Sequence, residues 1–349
     1  MNFGDCVSSK SDFHIENLLK KLEEKDFDGM LVANFNNIYY LSGYLSTSFA
    51  FLILKENPIV YVSGLDLELA SKTSTIDIKK FESFEILIKD LKEDNIKKLA
   101  IEGDLSVNTF FKFKDFDLEV LNIIDDERMI KSDKEIAKIT KATEIAHKSL
   151  LELDVRSKQD VGWEEWACAY ELGRLMRANG AEVESFDTIF ASGSDTSLPH
   201  SIPQHRILEN PVLVDYGCKF EGYCSDTTRT FIYTEKQEEV SKIVLEAHDK
   251  AIAGVKVGMK ACEVDKIARD IISEYGYGEK YIHSTGHSLG LDIHESPNVS
   301  SKDKTILENN MIITIEPGIY LEGEFGVRIE DMILINKKGK IIGNLPQIL

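Results

Sequence analysis

Between residues 133 and 335 one order of elements occurs twice. Two helical stretches, roughly 133–153 and 163–179, precede strand-like segments from 186 to 234. Two more, roughly 238–253 and 262–275, precede strand-like segments from 281 to 335. The repeat is one of pattern and not of letters. Two helix-pair-then-sheet halves bury their apolar faces most simply as one sheet covered by helices, with a cleft between the halves. The first helix has a marked start. Ser132 followed by Glu135 fits a capping box, and Ile136, Ile139, Thr143, Ala146 and Leu150 recur at helical spacing.

Ahead of that helix the chain alternates helix and strand signals. HIENLLKKLEEKDFDG (14–29) reads as an amphipathic helix and GMLVAN as a buried strand. NIYYLSGYL, FAFLILKEN and PIVYVSG read as further strands, LELASKT and FEILIKDLKEDN as helices, and KKLAIEGD as a strand. The alternation closes near residue 126, which predicts an α/β domain over 1–127 and a second, α+β domain over 128–349.

Composition narrows the class. The 349 residues are 43% hydrophobic and 29% charged, with 41 Lys and Arg against 60 Asp and Glu, a net charge of −19. This is a soluble globular balance, and its acidity argues against nucleic acid or an anionic membrane as partner. The N-terminal MNFGDCVSSKSDFH lacks the basic start and apolar core of a secretory signal, and FAFLIL (49–54) is far too short to span a bilayer. Cys6, Cys168, Cys218, Cys224 and Cys262 are scattered and have no C-x-x-C spacing, which fits reduced thiols in a cytoplasmic protein.

VDYGCKFEGYCSDTTRTF (214–231) reads as strand, turn and strand, yet carries Asp215 and Asp226. With the turn centred on Phe220-Glu221, the two carboxylates are directly opposed on one face. Like charges so placed repel unless a cation lies between them. A lone D-x10-D is more often a turn cap and a solvated acid, but the C-terminal region changes the balance. In MIITIEPGIY, alternation puts Ile312, Thr314 and Glu316 on one face, and in GVRIEDMILI, Glu330 falls mid-strand with Arg328 beside it. YIHSTGHSLGLDIHE holds His283, His287 and His294, three of the eight histidines, with Gly286 and Gly290 allowing close backbone approach. His200 lies in a Gly/Ser/Pro loop. Four acids and one imidazole form a hard-ligand cluster that suits Mn²⁺, Co²⁺, Fe²⁺ or Zn²⁺. Two such ions sharing carboxylates would give hydroxide near neutral pH.

Asp215-x10-Asp226, GHSLGLDIHE, IEPGIY and GVRIED, in this order and spacing, resemble the proline-specific metallopeptidases of the pita-bread fold, the Xaa-Pro aminopeptidases and Xaa-Pro dipeptidases (prolidases). NIYYLSGY resembles part of their creatinase-like N-terminal domain. The resemblance implies a creatinase-like α/β domain followed by a pita-bread catalytic domain with pseudo-twofold αα-β halves. It implies two divalent ions per subunit, Mn²⁺ first, with Asp215 on one, Asp226 and Glu330 bridging, and His287 and Glu316 on the other. It implies substrate-binding roles for His283, His200 and His294, of which His200 and His294 hold the scissile carbonyl or the oxyanion. Glu316 is implied as a proton shuttle and Arg328 as the arginine that orients the carboxylates. Ser288 stands where many relatives have glycine, and Asp195 where many have asparagine.

The implied reaction is hydrolysis of the Xaa-Pro bond at the N-terminus of peptides with proline second, by a metal-bridging hydroxide. The expected activity is that of an Xaa-Pro aminopeptidase. A dipeptidase is the alternative, and a methionine aminopeptidase-like enzyme or a catalytically silent binding protein is less favoured. The resemblance also implies a homodimer, for which NIYYLSGYLSTSFAF offers candidate surface and equally a core strand.

Overall fold

The computed structural model describes residues 8–347, with side chains from His14 onward. Cys6 and the first half of MNFGDCVSSKSDFH therefore lie outside the described residues. The chain divides into two compact units, Met1–Glu127 and Arg128–Leu349.

In the first unit, six strands form a sheet in the order Asp77–Lys80, Ile59–Val62, Ala50–Leu54, Gly29–Val32, Lys98–Ile101, Asp117–Val120. Alternation along these strands feeds two cores. Met30, Val32, Leu52, Leu54, Val60 and Val62 face one, with Leu18, Leu22, Ile38 and Leu41. Leu31, Ile53 and Tyr61 face the other, with Leu87, Leu91 and Leu99. A sheet covered on both sides requires apolar residues at consecutive strand positions, and that is how these strands read.

NIYYLSG departs from the expectation of a strand. Phe35–Ser42 is a helix. The Asn34 side chain accepts from the backbone N–H groups of Asn36 and Asn37, and Gly43 ends the helix in the left-handed region at φ 73°. Ile38 and Leu41, three apart, are its buried apolar residues. The aromatic residues suggest a strand, but the Asn cap, the Gly stop and the Ile38–Leu41 spacing outweigh them.

In the second unit the doubled pattern is present. Helices Asp133–Leu153 and Glu165–Ala178 precede strands from Val183 to Phe231, and helices Glu235–Gly254 and Ala261–Glu274 precede strands from Gly286 to Ile341. A short helix, Val155–Asp160, was not expected. The capping box is present: the Ser132 side chain accepts from the Glu135 backbone, and Glu135 reaches back to the cap. Each half has its own core, one around Ile145, Leu150, Leu172 and Val214, the other around Val244, Val264, Ile313 and Ile333.

The hairpin turn lies one residue later than expected, which shifts the pairing across it by two residues. Phe220 pairs with Tyr223, Lys219 with Cys224, and Asp215 with Thr228. The turn is Glu221-Gly222, both at positive φ (46° and 79°). A two-residue turn with two positive φ values accepts Gly far better than a bulky ring, so Phe220 is excluded from it. Asp226 thus lies two residues from the partner of Asp215. It is diagonal to that carboxylate instead of opposite, and still on the same face.

Candidate metal centre

Two strand interruptions bring the first-half acids inward. Asp215 belongs to Val212–Tyr216, while Asp226 lies between Tyr223–Cys224 and Thr227–Phe231. At Gly217 a Cβ would collide with the Ser225 carbonyl, so only glycine permits this crossing. In the second half, Gly286–Ser288 carries His287, and Glu316 follows Ile312–Ile315. Here too a Cβ on Gly286 would run into the Thr314 carbonyl oxygen.

Glu330 is not mid-strand. It falls between Phe325–Arg328 and Asp331–Asn336, which belong to different sheets. Ile329 donates to the Pro317 carbonyl at 3.4 Å and Glu330 to the Thr228 carbonyl at 3.1 Å, so the backbone changes partners where this carboxylate enters the site.

One oxygen or nitrogen from each of Asp226, His287 and Glu330 lies within 4.8 Å of the others, and all three residues are buried. His287 Nε2 is 3.5 Å from Asp226 Oδ2 and 3.6 Å from Glu316 Oε1. Its Nδ1 is 3.0 Å from the Ser288 carbonyl. A carbonyl accepts only, so Nδ1 carries the proton and Nε2 presents its lone pair to the carboxylates, the tautomer of a metal ligand. Burial, then repulsion from Asp215 and Glu316, pushes the Asp226 carboxyl well up. Burial, then Asp226 and Glu316, does the same to Glu330. Asp215 is also raised, because burial outweighs the attraction of Arg328. Its Oδ1 is buried with no hydrogen-bond partner. Crowded carboxylates that resist ionisation, an orphaned carboxylate oxygen and an inward-facing imidazole lone pair fit divalent cations.

The surrounding residues fix this set. Arg328 donates through Nη2 to Asp215 Oδ2 at 2.6 Å, through Nε to Thr228 Oγ1 at 3.0 Å and through Nη1 to the Tyr320 hydroxyl at 2.8 Å. That hydroxyl lies 2.8 Å from His283 Nε2, and His283 Nδ1 lies 2.8 Å from the Ser284 carbonyl. Both ring nitrogens of His283 are therefore engaged with protein. Thr228 Oγ1 donates to Glu330 Oε2 at 2.7 Å, and Thr314 Oγ1 to Glu316 Oε1 at 3.2 Å. The fully buried Arg229 binds the carbonyls of Thr228 and Glu330 through one nitrogen and Asp331 through another. Sequence reasoning missed Thr228, Thr314, Tyr320 and Arg229. The runs TTRTF and IITIE held a hint of Thr228 and Thr314, each a polar residue in phase with an acid, and gave none of Arg229 or Tyr320.

His200, His283 and His294 line one cavity of about 370 Å³ with all five acid and imidazole ligand candidates. The His294 ring stands edge-on to His287 at 4.4 Å. Burial, and then His287, lowers the His294 pKa. Ser288 Oγ accepts from Lys131 at 3.1 Å, and Asp195 pairs with Arg206 at 3.0 Å, so both departures from the usual residues have partners.

Residues 136–337 match metallopeptidase family M24, and residues 14–132 match the creatinase/prolidase N-terminal domain. The chain belongs to metallopeptidase family M24. It has the creatinase-like N-terminal domain and the pita-bread catalytic fold of that family, and it is a hydrolase. It is 40% identical to the Xaa-Pro dipeptidase of Pyrococcus furiosus over 93% of this chain and 95% of that one. The prolidase of Pyrococcus horikoshii superposes with a TM-score of 0.90 at 38% identity, over 96% of this chain and 99% of that one. An X-Pro aminopeptidase from Thermotoga maritima gives 0.87 at 32% identity, over 96% and 99%. Among the described residues no helix is long and apolar enough to cross a membrane.

Proposed function

We propose that this chain is an Xaa-Pro exopeptidase acting at the N-terminus of peptides whose second residue is proline. The observation that carries the reading is the convergence of Asp215, Asp226, Glu316, Glu330 and His287 Nε2 on one cavity. The catalytic domain is taken as residues 128–349, since every one of these side chains falls in that unit, and the N-terminal domain as 1–127.

Asp215, Asp226, His287, Glu316 and Glu330 would hold two divalent ions, Mn²⁺ first. Once bound, these supply Lewis-acid polarisation and a water acidic enough to ionise near neutral pH. The protein's own groups do the rest. Glu316, on the cavity wall beside His287, carries a proton to the leaving proline nitrogen. His200 and His294 donate to the carbonyl oxygen as it gains charge. Arg328, Tyr320 and Thr228 keep the carboxylates from turning. His283 lines the substrate cavity and positions Tyr320. Proline's missing N–H defeats peptidases that read an extended backbone, so a shaped cavity is the requirement here.

Cleavage restricted to dipeptides is the second reading, favoured by the names of the two Pyrococcus relatives. The cavity speaks for longer substrates. Arg328 is the one Lys or Arg among its lining residues, and its nitrogens are spent on Asp215, Thr228, Tyr320 and the Pro199 carbonyl. It is poorly placed to hold a dipeptide's carboxylate. A homodimer and a cytoplasmic location complete the proposal. The free thiols Cys168, Cys218, Cys224 and Cys262 support a reducing compartment, and exposed Phe35, Leu45 and Phe49 offer apolar surface to a second copy.

The test is to load the purified protein with Mn²⁺ and compare an Xaa-Pro dipeptide, an Xaa-Pro-Xaa tripeptide and a proline-free peptide. Faster tripeptide cleavage is expected. Turnover of the dipeptide alone would select the second reading, and equal turnover of the proline-free peptide would overturn both.

A further inference from the structure

A second cavity, of about 470 Å³, lies in the Arg128–Leu349 unit, and its lining is mostly apolar. Trp166 and Tyr170 stand one turn apart on the helix Glu165–Ala178, with rings stacked at 5.7 Å and 11° between planes. Val183, Phe186, Ile202 and Pro203 complete its apolar wall. Trp166 is 50% exposed, Tyr170 66% and Ile202 74%, so this is a large apolar surface facing solvent.

The groove adjoins the catalytic cavity. Phe186 lines both. Thr188 lines the groove and the next residue, Ile189, lines the cavity. Pro199 and His200 line the cavity, and Ile202 and Pro203, on the same loop, line the groove.

We infer that this groove is a subsite for the part of the substrate downstream of the scissile bond, taking proline or apolar residues of a continuing peptide on the Trp166–Tyr170 platform. The inference rests on the exopeptidase reading above. An enzyme that removes one N-terminal residue leaves the rest of its substrate on the downstream side, so only that part can reach a neighbouring groove. Further prolines beyond the scissile bond hold the chain on an extended polyproline II path, and aromatic-lined grooves accept such chains at low entropic cost. Charge selects further. Asp187 and Glu184 also line the groove, with Glu184 paired to Arg177 at 2.7 Å. The Arg177 pair offsets the charge of Glu184, so it is the Asp187 carboxylate that disfavours a terminal carboxylate there and favours a chain that continues in neutral or basic residues.

The experiment pairs the Trp166→Ser/Tyr170→Ser variant with the wild type, both Mn²⁺-loaded, on Ala-Pro and on the amidated pentapeptide Ala-Pro-Pro-Phe-Lys. The pentapeptide KM is expected to rise about fivefold to tenfold with kcat unchanged, the loss due to one aromatic contact, while Ala-Pro kinetics stay the same. Binding is read separately by tryptophan fluorescence. The chain has two tryptophans, Trp163 and Trp166. A pentapeptide whose first peptide bond is a methylene-amine should change the emission of the wild type and not that of Trp166→Phe. An equal rise in KM for both substrates, or an emission change that persists in Trp166→Phe, overturns the subsite. So does a switch from dimer to monomer in the double variant, which would assign the face to a second copy. Should the wild type cleave no Xaa-Pro peptide, the exopeptidase reading fails, whereas the fluorescence titration still reports on the groove.

Discussion

Arg328 Nη2 sits 2.6 Å from Asp215 Oδ2, while the other oxygen of that carboxylate is buried without a hydrogen-bond partner. The guanidinium thus turns one oxygen away from the cluster and presents the second to it. Arg328→Lys keeps the charge but loses the fork that also holds Thr228 and Tyr320. Mn²⁺ affinity measured by calorimetry should fall by roughly 10–100-fold, the usual cost of losing a residue that orients a ligand. Unchanged affinity would show that Asp215 needs no such restraint.

Asp226 is buried between His287 and the other carboxylates. Asp226→Asn removes one negative charge and one coordinating oxygen while keeping the shape. Activity should vanish and bound metal, counted by elemental analysis, should drop. Full activity in this variant is incompatible with a bridging role.

Gly286 passes the Thr314 carbonyl too closely for any side chain. Gly286→Ala must push the His287 strand away from Ile312–Ile315. Overpacking of this kind costs about 1–3 kcal/mol, read as a lower Tm. The displacement falls at His287, so the loss in metal affinity should exceed that of the same substitution at exposed Gly103, where an added Cβ meets only ordinary contacts at 3.5 Å.

His147 predicts a pH effect on stability. Its Nε2 lies 3.2 Å from Thr227 Oγ1 in a buried setting. Burial, and then Arg229, pushes its pKa down to about 4. The native state therefore favours the neutral ring, while the unfolded chain protonates it near 6.5. The contribution is complete above pH 6.5 and is lost as pH falls toward 4. Its size is on the order of 3 kcal/mol. Nearby Asp331 acts in the opposite sense but weighs less. His147→Gln should flatten the denaturation midpoint between pH 6.5 and 4; an unaltered slope would assign the effect elsewhere.

Much of this could be read from residues, and the misreadings have specific causes. Ser132 and Glu135 mark a helix start because a cap is a local, short-range interaction. The acids and His287 stand out because charge inside apolar runs is costly and therefore rare. The Asp215–Asp226 register depends on which two residues accept positive φ, and Glu221-Gly222 and Phe220-Glu221 differ by a single step. Glu330 looks mid-strand because the hydrophobic pattern runs on through a point where the backbone changes sheets. Thr228 does its work through Glu330, 102 residues away, which no local pattern reports, and Tyr320 through Arg328 on the other strand of its own hairpin.

Asp215 and Asp226 come from one half of the doubled domain, and His287, Glu316 and Glu330 from the other. A chain that has completed only its first half owns two mutually repelling acids and nothing to hold a cation between them. The centre thus exists only once both halves are folded together, and a bound ion would act as a rivet across the seam where they meet.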